Sequence, residues 1–225
     1  MEKSTQVTQG KGRKERLPGR LLPRAFFAES PERVAPRLLG KLLVHRTAQG
    51  LLAGRIVEVE AYLGPHNIPP DPAAHVHRGP TPRNRVLFGP PGHAYVYAIY
   101  GRYYCMNISC EAEGLAGCVL LRALEPVTGI RQMAANRGLG AEASGSALTS
   151  GPSRLCQAMA LTRPAHNGMS VTSARSPLQV RDDGYAVSGI HITPRIGIRH
   201  AADWPLRFAL AGHPCLSGPK RMQRS

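Results

Sequence analysis

Between Arg33 and Cys110 the chain holds only three acidic residues, Glu58, Glu60 and Asp71, and two of them lie two positions apart in "GRIVEVEAYLG". On an extended strand, residues i and i+2 share a face, with Cα atoms roughly 7 Å apart. Carboxylates so placed could ligate a metal, work as a hydrolytic acid–base pair, or stand solvated on an edge strand. Further along, "HAYVYAIYGRYYCMN" gathers five of the chain's seven tyrosines (Tyr95, Tyr97, Tyr100, Tyr103 and Tyr104) around Gly101 and Arg102. Tyrosines on an inward strand face are ordinary sheet core. An exposed tyrosine at a glycine turn beside an arginine suits insertion into a base stack while the arginine holds phosphate.

Other chemistry is poorly supplied. His75, His77 and His93 could suggest a metal site, but carboxylates are scarce and there is no Cys-x-x-Cys pair, so neither a metal nor a cofactor is expected. Five cysteines, an odd number, disfavour a disulfide framework and read as reduced, mostly buried thiols.

The elements that must position these residues follow from periodicity and punctuation. "SPERVAPRLLG" has Ser30 at an N-cap position, Pro31 after it and apolar residues at helical spacing, and it runs into the strand-like "KLLVHR". Strict alternation in "GRIVEVEAYLG" puts Ile56, Glu58 and Glu60 on one face of a strand and Val57, Val59 and Ala61 on the other. Eight prolines from Pro65 to Pro91 predict a long ordered loop serving a site. The tyrosine stretch reads as a hairpin with Tyr100 at its tip, and "GCVLLRALEP" as another strand. A helix is predicted over Gly129–Arg137, a flexible link over Gly138–Ser150, a helix from Pro152, and short strands over 171–210.

The chain has 225 residues and a formal net charge of +15. Residues 1–20 carry six basic and two acidic groups, which leaves +11 on the remainder. Residues 1–20 read as a disordered basic arm and residues 21–225 as one basic domain. That balance favours a polyanionic partner, nucleic acid above all, although 24 arginines against 5 lysines could also reflect base composition. The absence of an apolar run of eighteen residues, and of an apolar stretch near the N-terminus, predicts a cytoplasmic protein with no membrane association.

In order, "GRIVEVEAYLGP", "AAH", "TPRNR", "GHAYVYAIYGRYYCMNIS", "CVLLRALEP", "SGPSRLCQA" and "PRIGI" resemble the alkyladenine (3-methyladenine) DNA glycosylase family, over about residues 21–210. The resemblance implies an α+β domain with a curved, mainly antiparallel sheet, flanking helices and a protruding DNA-inserting hairpin. It also implies excision of alkylated or damaged purines from duplex DNA by base flipping, by a monomer without cofactor or lyase activity. Glu60 then matches the general base, and Arg122 and the backbone carbonyl of Ile196 match groups that hold the attacking water. Glu58 looks structural. Tyr62, Tyr97 and His75 match the walls around the flipped base, Asn107 the residue that crowds the exocyclic amine of guanine, and Tyr100 the wedge. Arg102, Arg83 and Arg85 are expected to contact DNA. The alternatives are a noncatalytic nucleic-acid-binding module on the same basic, tyrosine-rich surface, and a carbohydrate hydrolase built on Glu58 and Glu60.

Overall fold

The structure, a computed structural model, describes residues 17–218. Its centre is a thirteen-residue strand, β3 (Gly50–Tyr62), rich in the β-branched and small apolar residues that suit a strand covered on both faces. It follows β1 (Arg20–Leu21), helix α1 (Pro31–Leu38) and β2 (Leu42–Thr47). After the proline-rich loop come β4 (Ala94–Ile99), β5 (Tyr103–Ser109), β6 (Cys118–Thr128), α2 (Ile130–Asn136), α3 (Ser146–Thr149), α4 (Pro152–Ala158) and α5 (Arg163–His166). The described chain closes through β7 (Leu178–Asp182), β8 (Ile190–Thr193) and β9 (Arg207–Leu210).

The strands form one curled antiparallel sheet in the order β1-β7-β2-β3-β6-β5-β4, with β8 and β9 attached through β9 to β3. This is the mixed α+β class expected from the sequence. Helices α1, α2 and α4 cover one side of the sheet, and their apolar stripes (Val34, Ala35 and Leu38; Met133 and Ala134; Leu155, Cys156 and Ala158) join Leu43, Val57, Val59 and Leu121 in the main core. A smaller cluster with Val76, Leu87, Tyr95 and Cys118 lies beneath the proline-rich loop.

Three features depart from the sequence reading. First, β3 is no edge strand: β6 pairs along most of its length, and its other side is taken by β2 over residues 50–55 and by β9 over residues 58–60. Glu58 and Glu60 are therefore fully buried, and the solvated-edge alternative is excluded. Register shifts around Glu58 also break the strict alternation, and Ile56 joins the same apolar cluster as Val57 and Val59.

Second, the start of the domain moves back. Residues 1–16 of the expected arm lie outside the described residues, whereas Arg20 pairs with Asp182 in the sheet. Arg181 anchors that approach by donating to the carbonyls of Pro18 and Gly19 at 2.7 and 2.6 Å. Third, the link over Gly138–Ser150 contains α3, whose Leu148 and Thr149 are buried and whose Thr149 hydroxyl donates to the Leu124 carbonyl at 2.5 Å. Among the described residues no helix is long and apolar enough to cross a membrane.

Candidate active site

The tyrosine-rich segment forms the hairpin that the sequence predicts, β4 and β5 pairing from Ala94↔Ile108 to Ile99↔Tyr103. The turn takes Tyr100 to φ +48° and Gly101 to φ +75°. Glycine tolerates this region freely, and a tyrosine there is uncommon. Tyr100 is 90% exposed, while Tyr95, on the same hairpin, is 1% exposed.

At the other end of the hairpin lies a cavity of about 210 Å³, lined on its aromatic side by Tyr62, His75, Tyr95 and Tyr97 and elsewhere by Asn107, Cys118, Arg122 and Ile196. That is below the roughly 300–1,000 Å³ of drug-sized sites, and suits a group the size of one base. Tyr95 and Tyr97 stack with ring centroids 5.4 Å apart, and His75 meets Tyr97 edge-on at 4.6 Å. The proline-rich loop delivers His75, and Asn84 pins that loop by donating to the His75 carbonyl at 2.9 Å.

The Tyr95 hydroxyl lies 3.2 Å from His75 Nδ1. With Tyr95 donating, the neutral imidazole carries its proton on Nε2. Burial, with a smaller contribution from Arg83, holds the His75 pKa below its ordinary value, which favours that neutral form.

Beneath the cavity sits Glu60. One oxygen, Oε1, accepts from the backbone N–H of Ile196 at 2.7 Å and faces Arg122 at 3.1 Å; the other accepts from the Tyr62 hydroxyl at 2.9 Å. Burial, reinforced by the Glu60 charge and hydrogen bond, raises the Tyr62 pKa far above that of a free phenol, so the hydroxyl stays a donor. Ile196 thus reaches Glu60 through its N–H, a contact that the expectation about its carbonyl did not contain.

Glu58, on the same strand, is spent on structure. It accepts from Arg122 Nε at 3.0 Å, Arg207 Nε at 2.7 Å, and the N–H and hydroxyl of Ser217 at 2.5 and 2.9 Å. Four donors on one carboxylate leave little capacity for chemistry. Arg122 bridges the two glutamates; burial opposes its charge, but Glu60 and Glu58 outweigh that and raise its pKa. The third acid, Asp71, forms a buried bidentate pair with Arg195 at 2.5 and 2.9 Å. The Arg195 guanidinium also lies 4.6 Å from the Tyr62 ring centroid and donates to the Ala61 carbonyl at 3.1 Å. Among the described residues no group of three or more His, Cys, Asp or Glu side chains could hold a metal.

Residues 25–214 match the sequence profile of methylpurine-DNA glycosylase. The chain belongs to the methylpurine-DNA glycosylase family. The family is one of DNA glycosylases, hydrolases of N-glycosyl bonds. Among its relatives is a protein of Koribacter versatilis, 52% identical over 200 residues that cover 88% of this chain and 94% of the relative. Another, from Methanoculleus marisnigri, is 50% identical over 195 residues, 85% of this chain and 95% of the relative. A third, from Burkholderia lata, is 46% identical over 205 residues, 91% and 94%. All three carry the provisional name 3-methyladenine DNA glycosylase.

Of the glycosylase residues expected from sequence, Tyr62, His75, Tyr97, Asn107, Arg122 and Ile196 line one cavity, with Glu60 bonded to three of them. Tyr100 and Arg102 sit at the hairpin tip, where Arg102 donates to the Tyr103 hydroxyl at 2.5 Å. Arg83 reaches the pocket, 5.6 Å from the Tyr97 centroid, while Arg85 is exposed in a short helical turn at Arg85–Phe88. Sequence reasoning missed Tyr95 as a wall, though it shares a strand face with Tyr97. It also missed Asp71, Arg195, Arg207 and Ser217, whose only signal was that a buried acid requires a partner.

Proposed function

We propose that this glycosylase removes alkylated and other damaged purines, 3-methyladenine among them, from duplex DNA by extruding the target nucleotide into the aromatic-walled cavity. Extrusion is required because the glycosidic carbon cannot be attacked within the stack. The observation that carries the reading is a fully buried carboxylate, Glu60, oriented by three donors beneath a cavity of aromatic faces. Glu60 acts as general base on a water that attacks C1′ while positive charge builds on the sugar, as in glycoside hydrolysis. Arg122 and Ile196 fix the carboxylate's direction and the water's approach.

Tyr62, Tyr97 and His75 sandwich the base. Aromatic faces favour a cationic alkylated purine over a neutral one such as hypoxanthine or ethenoadenine. Asn107 is placed to crowd the exocyclic amine of normal guanine, and Tyr100 fills the gap left in the duplex, with Arg102, Arg83 and Arg85 toward the phosphates. Among the described residues the one lysine, Lys41, is bound to Asp182 at 2.9 Å; the nucleophile in this reading is water, and the product strand stays intact. The protein works as a monomer in the cytoplasm, beside the DNA it repairs.

A noncatalytic binder gains nothing from a carboxylate near phosphate, and a carbohydrate hydrolase needs a second free carboxylate, which Glu58 is not. The test is incubation with duplexes that each carry one lesion, without added metal, scored for abasic sites before and after alkali. Abasic sites in an uncut strand are expected. Binding without base release would leave only the noncatalytic reading.

A further inference from the structure

The wall of the aromatic cavity includes a thiol that the chemistry proposed above does not use. Cys118 opens β6, and Asn107 lies on β5, where it pairs with Leu120. Cys118 is therefore the diagonal neighbour of Asn107, two positions from its direct partner and on the same face of the sheet. Both line the cavity and both are buried. The Cys118 thiol donates to Asn107 Oδ1, with sulfur and oxygen 3.7 Å apart; among the described residues the Asn107 side chain makes no other hydrogen bond. The thiols of Cys110 and Cys156 are placed differently: the first donates to the Ile108 carbonyl at 3.6 Å, and the second is packed in the main core.

A carboxamide is nearly symmetric in shape, so its hydrogen-bond partner decides which edge it turns outward. With the thiol donating, Oδ1 is held toward Cys118, and the amino group of Nδ2 is the polar edge that Asn107 offers to the cavity. The thiol keeps its proton, because burial first, then the charges of Asp71 and Glu111, raise its pKa well above that of a free thiol. A purine with a 2-amino group brings a donor of its own to this edge. Two N–H groups that face each other in a dry site are both left unpaired, which is costly. A purine without that amine meets no such mismatch. The opposite orientation of the amide would present Oδ1, which accepts from the amine, and the same asparagine would then favour guanine.

We propose that Cys118 is a positioning residue for base selection: its thiol fixes the Asn107 carboxamide with the amino group toward the cavity, so that purines bearing a 2-amino group meet a donor facing a donor. The proposal rests on the reading that damaged purines enter this cavity with their 2-position toward Asn107. Cys118 then acts through Asn107 and not on the reacting atoms, so it sets the ratio between two bases and leaves the chemical step to Glu60.

The test compares two lesions that differ only in that amine. Single-turnover release is measured from duplexes carrying one 7-methylguanine or one 7-methylhypoxanthine, for the wild type, C118V, C118A, N107L and C118V/N107L. C118V replaces the thiol by a larger apolar group and C118A by a smaller one, so an effect common to both belongs to the lost donor and not to volume. The wild type should release 7-methylhypoxanthine faster. Each Cys118 variant should narrow that preference by roughly 2- to 10-fold, the worth of one neutral hydrogen bond. The change should come through faster release of 7-methylguanine, with 7-methylhypoxanthine little affected. In the N107L background, which has no amide to orient, C118V should leave the ratio unmoved. An unchanged ratio in either Cys118 variant, an equal loss of rate on both bases, or the same narrowing with and without Asn107 would overturn the proposal. A wild type that releases neither base, or both at one rate, would instead bring down the reading beneath it, and the proposal with it.

Discussion

Glu60→Gln isolates charge from shape at the centre of the site. In the wild type three donors converge on the carboxylate: the Ile196 N–H at 2.7 Å, the Tyr62 hydroxyl at 2.9 Å and Arg122 at 3.1 Å. In the variant the amide oxygen can occupy the Oε1 position and keep Ile196 and Arg122. The amide nitrogen then replaces Oε2, and the Tyr62 hydroxyl turns to accept from it. No hydrogen bond is lost, but the Ile196 and Tyr62 bonds become neutral ones and Arg122, still charged, loses an ion pair, a difference of about 1 kcal/mol each before the desolvation relieved by removing a buried charge. Arg122 keeps Glu58 at 3.0 Å. The net cost to stability should therefore be about 1–3 kcal/mol, and the protein should fold. Excision should fall much further, by roughly 10²–10⁴-fold, because an amide accepts no proton from water. Single-turnover rates on a 3-methyladenine duplex, urea denaturation, and lesion-duplex affinity separate the two effects. A variant that folds, binds and cleaves the glycosidic bond within a fewfold of the wild-type rate would refute the assignment of Glu60 as base.

Tyr100→Ala should weaken binding to a lesion duplex by about 1–3 kcal/mol, the worth of a lost base–aromatic stack, with unchanged thermal stability because the ring is 90% exposed; equal affinities by fluorescence anisotropy would exclude the wedge. Asp71→Ala leaves Arg195 charged and buried, so it should cost about 3–5 kcal/mol in chemical denaturation and also loosen Tyr62, over which Arg195 lies. Acid should destabilise the fold through the His45–His166 pair, whose Nε2 atoms are 3.2 Å apart. Burial lowers both pKa values, so as pH falls below about 6.5 the unfolded chain takes up protons first and stability drops. H45Q/H166Q should flatten that part of the stability–pH curve, and an unchanged slope would contradict the assignment.

The elements that carry the site are those whose signal is local. Alternation announced β3, a glycine between aromatic runs announced the hairpin, and Pro31 after Ser30 announced α1, although Ser30 makes no side-chain capping bond. What the sequence left open depends on distant chain. Whether Glu58 and Glu60 were solvated or buried turned on β6 and β9 flanking β3, a pairing that no spacing reveals. The bulged register at Glu58 is likewise set by β6, so the face of Ile56 was misread. The sequence scanned between Arg33 and Cys110 showed three acids and no reason for Asp71; its partner, Arg195, lies 124 positions away. The flexible link was inferred from glycine and serine content, while α3 is held by the Thr149–Leu124 bond and the burial of Leu148.

Ser217 supplies two of the four donors on Glu58 and also accepts from Arg122, yet it is synthesised 159 residues after Glu58. Glu58 is therefore fully braced only by chain that follows the last strand, β9, which ends at Leu210. Fragments that stop short of Ser217 place a buried anion in the centre of the fold with half of its donors missing, and such a defect is costly.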